Sequence, residues 1–525
     1  MEATPEQLDA LFPHPGNADI PNNLSKRVPA PVRQAGWTDE STQQVRELLK
    51  DNHRKWHIFF NDLHFHNHAS HHLLAIYAMG ANGDLLKAAY ETHVAYQKPA
   101  FPPPEEKKIS TIIDETNWKD YLGDDRYYQA YVAFFTKKLV RSPRDMKTVL
   151  EEYVFSKDAN VVAGKTGDAP MMLSRFLGGF LHPLIHCGYA VEFGLPGLVA
   201  EGIAQAAVQS AEASAAYPAS LFEGPKSATL TSQLASLVIS AKPVKAGARP
   251  HALTVLGQIA SDPAFEAKAL GLPVPDGEDE SSIDRVVRVG GEKLLKYAAE
   301  WTASLAPENV TAELLSEMLE EVAWMNSVVY AVGGWSGRNE GEDEKGDFNG
   351  DFFLMHLVTS SLFIPSYLNT LTKQSASVLL RTYFTIALVL YVARGRPSLP
   401  IAEFYANTSV HPEPPSSVTP KPSKDTLAPY TAPNSWLPII QTTLVHPDEH
   451  LCKTQRALWH FADMYGGTPK GRFDGTGAHS RLEGAGDLDG TLFVRAAGLT
   501  ANRLGWMREG QEKRGWDAKG FFKEK

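Results

Sequence analysis

Only two cysteines occur in 525 residues, Cys187 and Cys452, and neither belongs to a CxxC pair. That excludes a disulfide framework and a thiolate-built zinc or iron–sulfur site. No run of 18 apolar residues is present. The longest, residues 383–393, is too short to span a bilayer, and no basic segment followed by an apolar one opens the chain. Positive charge is not in excess, the net charge being −10, so neither nucleic acid nor an anionic membrane is expected as a partner. No GxGxxG follows a strand-like run; the glycines nearest to it are Gly475 and Gly477, which lack a third. P-loop, HExxH and GxSxG sequences are also missing. A flavin or nicotinamide domain of the Rossmann kind is therefore not expected. No segment repeats at solenoid spacing. What is present is an ordinary globular composition, 43% hydrophobic and 21% charged, expected to be cytoplasmic.

Helical patterning dominates. Residues 1–40 are Pro-rich and aperiodic and read as an N-terminal arm. Residues 41–410 read as a helical catalytic core, with helices expected from Thr42 to Tyr96, over 126–157, 282–304 and 309–332, and through the apolar blocks that follow Asp351. Residues 411–435 form a Pro/Ser/Thr-rich loop, and 436–525 a C-terminal extension with one strong helix, DEHLCKTQRALWHFADMYG, before a Gly-rich stretch without clear period. The expected fold class is mainly α: one large helical body with long Pro/Gly-rich loops and extended termini.

The 18 histidines are unevenly placed, and five fall within residues 64–72, at His64, His66, His68, His71 and His72. On a helix His68 and His72, four apart, would share a face, as would His64 and His68 if the helix starts early. Surface exposure or ordinary hydrogen bonding would account for one such histidine. Five leading into an apolar helix cost desolvation unless each finds a partner, and a metal is an efficient one. His182-Pro183-Leu184-Ile185-His186 repeats the four-residue spacing, with Pro183 suited to a first helical turn and Gly178-Gly179 letting the chain enter it. His356 lies among Phe352, Phe353, Leu354, Met355 and Leu357 and reads as buried; alone, such a histidine is more often a hydrogen-bonded core residue than a ligand. Lys373 has few opposing charges nearby. Its ordinary reading is an ammonium that snorkels to water, and the alternative is a neutral amine able to capture carbon dioxide. A competing cluster, His446-Pro447-Asp448-Glu449-His450 with His460 beyond it, has the HxD spacing of a two-histidine, one-carboxylate iron site. Pro447, Asp448 and Glu449 equally suit the start of a helix, and that reading is preferred.

Three blocks carry a resemblance. HNHASHHLLAIYAMGA is similar to HNHxxHHLLAxYALGA, HPLIHCGYAVEFGLPGLVAEGIAQ to HPLIHLGYGLEF with an Ala-rich helix after it, and DFFLMHLVTSSLFIPSYL to DFxLMHxVTSSLFLP. In this order, over residues 66–368, they resemble the questin oxidase-like family of fungal anthraquinone oxygenases, departing from it at Cys187 where leucine is common. The resemblance implies an oxidoreductase of secondary metabolism that cleaves the quinone ring of an anthraquinone-type polyketide with dioxygen. Its outcome is Baeyer–Villiger-like and depends on reduced nicotinamide. Since no dinucleotide fingerprint is present, the oxygen chemistry is expected to rest on a metal, iron(II) in preference to copper, without flavin. NADPH would act through a partner reductase that supplies the hydroquinone. The expected ligands are His68, His182, His186 and His356, with Lys373 as its carbon dioxide adduct giving an anionic oxygen. Glu192 and Asp351 are set aside, being about 120° and 140° around their helices from the histidines beside them. His72 is the expected catalytic base and the alternative ligand, and Trp324, Tyr330 and Trp335 are candidate pocket walls. A zinc hydrolase built on the same histidines and a non-catalytic helical scaffold are the two other readings.

Overall fold

A computed structural model describes residues 4–16, 31, 33–100, 111–141, 145–222, 249–275, 277–306, 309–338, 346–415, 423–427, 432–476 and 481–522. Parts of the expected arm (1–40), of the Pro-rich loop (411–435) and of the acidic Gly-rich segment before Asp351 lie outside the described residues, as does Gly477. No strand occurs among the described residues, only isolated bridges, and the fold is mainly α.

Local chemistry sets the helix ends. The helix Asp39–Lys55 starts ahead of the expected Thr42 because Thr38 and Ser41 cap it reciprocally, each hydroxyl accepting the other's backbone N–H, at 3.2 and 2.8 Å. Asp39 and Glu40 in its first turn, and His53, Arg54 and Lys55 in its last, complement the helix dipole. The helix then stops, and residues 57–68 are irregular. Phe59 and His66 form an isolated antiparallel bridge, and the Asn61 side chain accepts the N–H groups of Leu63 and Phe65. Asn67 fixes where helix resumes: its side-chain oxygen accepts the Ala69 N–H at 3.0 Å, while its amide donates to Asn52. The histidine-rich segment is therefore irregular through His68, and the helix Ala69–Ala78, which carries His71 and His72, begins only after it.

The chain divides into two compact units, one formed by Met1–Gly247, Thr302–Ser316 and Phe363–Ile386, the other by Ala248–Trp301, Glu317–Leu362 and Ala387–Lys525. These bounds cut across the core and extension expected from sequence, since residues 436–525 belong with parts of the expected core in the second unit.

At the centre of the first unit the helix Met172–Phe193 packs against Pro196–Val208, the turn between them passing through Gly194 in the left-handed region. Every residue of Pro196–Val208 is buried. At Gly202 an added Cβ would lie 2.4 Å from the Cys187 sulfur, so the two backbones touch where a side chain would hold them apart. That approach brings the neighbouring residue, Glu201, beside His186. Leu184 and Ile185 are fully buried on the same helix, each such side chain contributing about 1.5–3 kcal/mol.

In the second unit Met355–Ser361, Glu449–Tyr465 and Leu492–Leu504 pack together. The last of these was not expected from sequence, although its buried residues Leu492, Phe493, Ala496, Ala497, Thr500, Ala501 and Leu504 follow helical spacing. The apolar run at 383–393 is the end of a longer helix, Lys373–Ala393, which is long and apolar enough to cross a membrane; 94% of its most apolar window is buried inside the protein. Trp324, Tyr330 and Trp335 sit in aromatic core. Trp324 packs on Phe473 and Phe493, the Tyr330 hydroxyl pairs with Thr500 at 2.8 Å, and Trp335 meets Phe404 and the Arg338 guanidinium.

Candidate functional site

Immediately before His182 the helix Met172–Phe193 is interrupted. Gly178 is extended, and Gly179, Phe180 and Leu181 all take left-handed dihedrals, with φ of 53°, 53° and 68°. A left-handed turn costs roughly 1–2 kcal/mol for each residue carrying a Cβ, so Phe180 and Leu181 hold strain that tertiary packing sustains. Glycine at 179 avoids that cost, and a Cβ there would lie 2.8 Å from the Gln209 side-chain oxygen, which would have to shift. The turn aims the Gly179 carbonyl at the following helix, where it accepts the His182 Nδ1–H at 2.5 Å. With Nδ1 protonated, the neutral ring presents the lone pair of Nε2.

That nitrogen faces His68 Nε2 at 2.8 Å. His66 stacks on the His182 ring, centroids 4.0 Å apart and planes within 12°, while its own Nε2 meets Gln209 at 3.3 Å. His66, His68 and His182 are all buried. Two imidazole nitrogens at 2.8 Å in a dry setting require a proton or a cation between them, because two lone pairs repel.

His186 takes a different part. Its Nε2–H donates to Glu201 at 2.9 Å, and its Nδ1 meets His71 Nε2 at 3.0 Å. The other Glu201 oxygen accepts the His53 Nδ1–H at 2.5 Å. The chain His71–His186–Glu201–His53 is buried throughout. Burial alone would push the Glu201 carboxyl up, but the hydrogen bonds and charges of His186 and His53 outweigh it and hold the group down at about 2. His71 lies flat against Tyr189, centroids 5.3 Å apart.

His72 is bonded to the next helix. Its Nδ1 meets His93 Nε2 at 3.0 Å, and His93 Nδ1 meets the Tyr96 hydroxyl at 2.6 Å. His68 sits at the helix cap with non-helical dihedrals (φ −99°, ψ 6°). His64, at φ 59°, is half-exposed and stacks on Phe59.

The second unit has its own buried polar group. His356 donates Nδ1–H to the Phe352 carbonyl at 2.8 Å, and its ring stands edge-on to His450, centroids 5.5 Å apart. Asp448 caps the helix Glu449–Tyr465, accepting the N–H groups of His450 and Leu451 at 3.0 and 3.1 Å and the Trp516 indole N–H at 3.0 Å. The His446–His450 segment is thus a helix start, as its composition suggests. Asp351 is taken up by Arg394 at 2.7 Å.

A model of the family described as questin oxidase-like matches residues 65–458. The chain belongs to this family. It is similar to a Baeyer–Villiger oxidase of Pestalotiopsis fici, 26% identical over 427 residues that make up 80% of each chain. An oxidoreductase of Aspergillus parasiticus is 26% identical over 425 residues, 80% of this chain and 72% of the relative. A questin oxidase of Aspergillus fumigatus is 31% identical over 169 residues, 32% of this chain and 36% of the relative. The protein is an oxidoreductase.

Within this questin oxidase-like chain, two of the ligands expected from sequence, His68 and His182, come together, and both ring nitrogens of His186 are engaged by His71 and Glu201. Lys373 is exposed at the first turn of its helix, so the burial that would favour a neutral amine is missing there. The environment expected at Lys373 occurs instead at Lys453. This residue is 1% exposed, and its nitrogen has no hydrogen-bond partner among the described residues. Burial pulls its amine down from 10.5 to about 8, against the opposing charges of Glu449, Cys452 and Asp448. The sign of the consequence is fixed. An unfolded lysine is protonated below about 10.5, so folding carries a cost at every lower pH, growing until about 8 and constant beneath it. Lys453→Met should therefore stabilise the protein at pH 7 by on the order of 1–3 kcal/mol, with the gain shrinking from pH 8 to 10.5. Denaturant midpoints across that range check it, and no gain at pH 7 would mean the amine has a charged partner.

Proposed function

We propose that this protein is a metal-dependent oxygenase that opens the quinone ring of an anthraquinone-type polyketide with dioxygen, and that iron(II) held by His68 and His182 is its metal. The observation that carries the reading is the facing pair of Nε2 atoms at 2.8 Å. Two nitrogens bound at right angles to one ion, each at its usual 2.0–2.1 Å, lie about 3 Å apart, so the donor pair fits a metal. When bound, iron(II) supplies redox chemistry with dioxygen that no side chain offers.

The residues around the pair hold and orient. The Gly179 carbonyl fixes the His182 tautomer with its lone pair outward, and His66 stacked on the ring limits its rotation. The buried setting excludes water, which would otherwise compete for the same nitrogens and quench a reactive oxygen species. Glu201, through His186, keeps the adjoining His71 in place. The relatives' names, Baeyer–Villiger oxidase and questin oxidase, support ring oxidation of an aromatic polyketide. Reducing equivalents from NADPH enter through a partner reductase acting on the quinone, and no flavin is used.

Elemental analysis of tag-free protein, together with oxygen uptake on a chemically reduced anthraquinone, tests the proposal. The expected result is iron near one per chain and uptake that depends on it. Zinc in place of iron, with ester or lactone hydrolysis and no oxygen uptake, would replace the oxygenase with a hydrolase. Protein without any metal that still turns over would end the metal reading.

A further inference from the structure

One chain of hydrogen bonds in the first unit runs from the buried histidines outward. His72 and His93 are each 1% exposed, and Tyr96 is 42% exposed. His93 lies in the last turn of the helix Gly83–Val94, and the Tyr96 N–H donates to its carbonyl, so one tight turn places the phenol beside the imidazole. His93 is bonded at both ring nitrogens, Nδ1 to the Tyr96 hydroxyl at 2.6 Å and Nε2 to His72 Nδ1 at 3.0 Å. The rings of His72 and His93 meet edge-on at 83°, the arrangement that points one ring's N–H at the other's lone pair. The Tyr96 ring is held in turn by the edge of Phe60, centroids 4.9 Å apart.

We propose that Tyr96 and His93 form a proton path between solvent and the buried His72 of the first unit. An imidazole that gains a proton on one nitrogen can release the other, so a ring bonded at both ends passes a proton without moving. Inward, the phenol donates to His93 Nδ1, His93 donates from Nε2 to His72 Nδ1, and water restores the phenol. His72 then holds one extra proton as imidazolium. Outward transfer returns that proton through the same bonds to water, so no net proton is lost and no electron moves. Ordinary structural pairing would account for buried histidines that satisfy one another; it does not require that the last partner stand in water. The proposal supplies a role to the oxygenase reading, since ring opening with dioxygen moves protons in a site sealed from solvent, but its first test does not depend on that reading.

Tyr96→Phe removes only the hydroxyl and keeps the ring on Phe60. With histidine-selective 15N labelling, exchange of the His72 and His93 ring N–H protons with water is expected to slow at least tenfold in this variant. His93→Gln, whose amide bridges but cannot take up and release a proton, should slow exchange at His72 likewise. If wild-type protein consumes oxygen with reduced anthraquinone, Tyr96→Phe should also enlarge the solvent hydrogen isotope effect on uptake, and added imidazole should restore the rate. Unchanged exchange in both variants overturns the path, whatever the activity. Slowed exchange in a protein that shows no oxygen uptake would leave the path standing and remove the oxygenase reading instead.

Discussion

If His68 and His182 hold the proposed iron, His182→Ala is expected to abolish iron binding and to lower oxygen uptake by more than about a hundredfold, a larger loss than removing a residue that merely orients a metal ligand. The change deletes one of the two facing nitrogens. It also frees the Gly179 carbonyl, whose only described role is to hold that ring. Helical circular dichroism should stay near wild type, because the flanking Leu181, Leu184 and Ile185 remain buried and keep the helix seated. Metal content measured beside the dichroism separates the two interpretations. Iron retained with activity intact would show that His68 and His182 share a proton and nothing more. Loss of helix with iron retained would make the pair a packing element.

Replacing Glu201 by alanine should cost about 3–5 kcal/mol, the range for removing one member of a buried ionic group. Its carboxylate bonds both His53 and His186, and the alanine would leave two buried imidazoles without that acceptor. The pH dependence has a definite direction. The folded carboxyl lies at about 2 against an ordinary 4.5, so its stabilisation is fully present above pH 4.5 and is lost as pH falls toward about 2. Denaturant midpoints of wild type and Glu201→Ala should thus differ most at pH 5 and above and draw together under acid. A constant gap down to pH 2.5 would show that the cost is one of packing volume and not of charge. Glu201→Gln, which keeps the shape, then separates the two contributions.

Helix positions were largely legible in the residue pattern, and so was a break before His182, because paired glycines weaken a helix and Pro183 suits the first turn of a new one. The pairing among histidines was not. Helical spacing predicts shared faces only inside a helix, and His68 lies just ahead of one, held by the Asn67 side chain. The choice between His182 and His186 as partner of His68 depends on the left-handed turn, and no pattern of hydrophobicity announces left-handed phenylalanine and leucine. Glu201 left a usable trace: it is the sole charged residue in a thirteen-residue buried helix of small and apolar residues, and a charge in such company needs a partner. Lys453 left the opposite trace. It stands in the run Lys453-Thr454-Gln455-Arg456, which composition assigns to a solvated face although all four are buried.

The closeness of the two central helices in the first unit also bears on the chemistry of sulfur. Gly202 closes over the Cys187 thiol, and Cys452 is likewise fully buried. Burial raises both thiols above their ordinary value of 9. Oxidants attack the thiolate, and only where they can reach it. A protein proposed to work with dioxygen therefore offers partly reduced oxygen no accessible sulfhydryl, and its two thiols become visible to a labelling reagent only through opening of the fold around them.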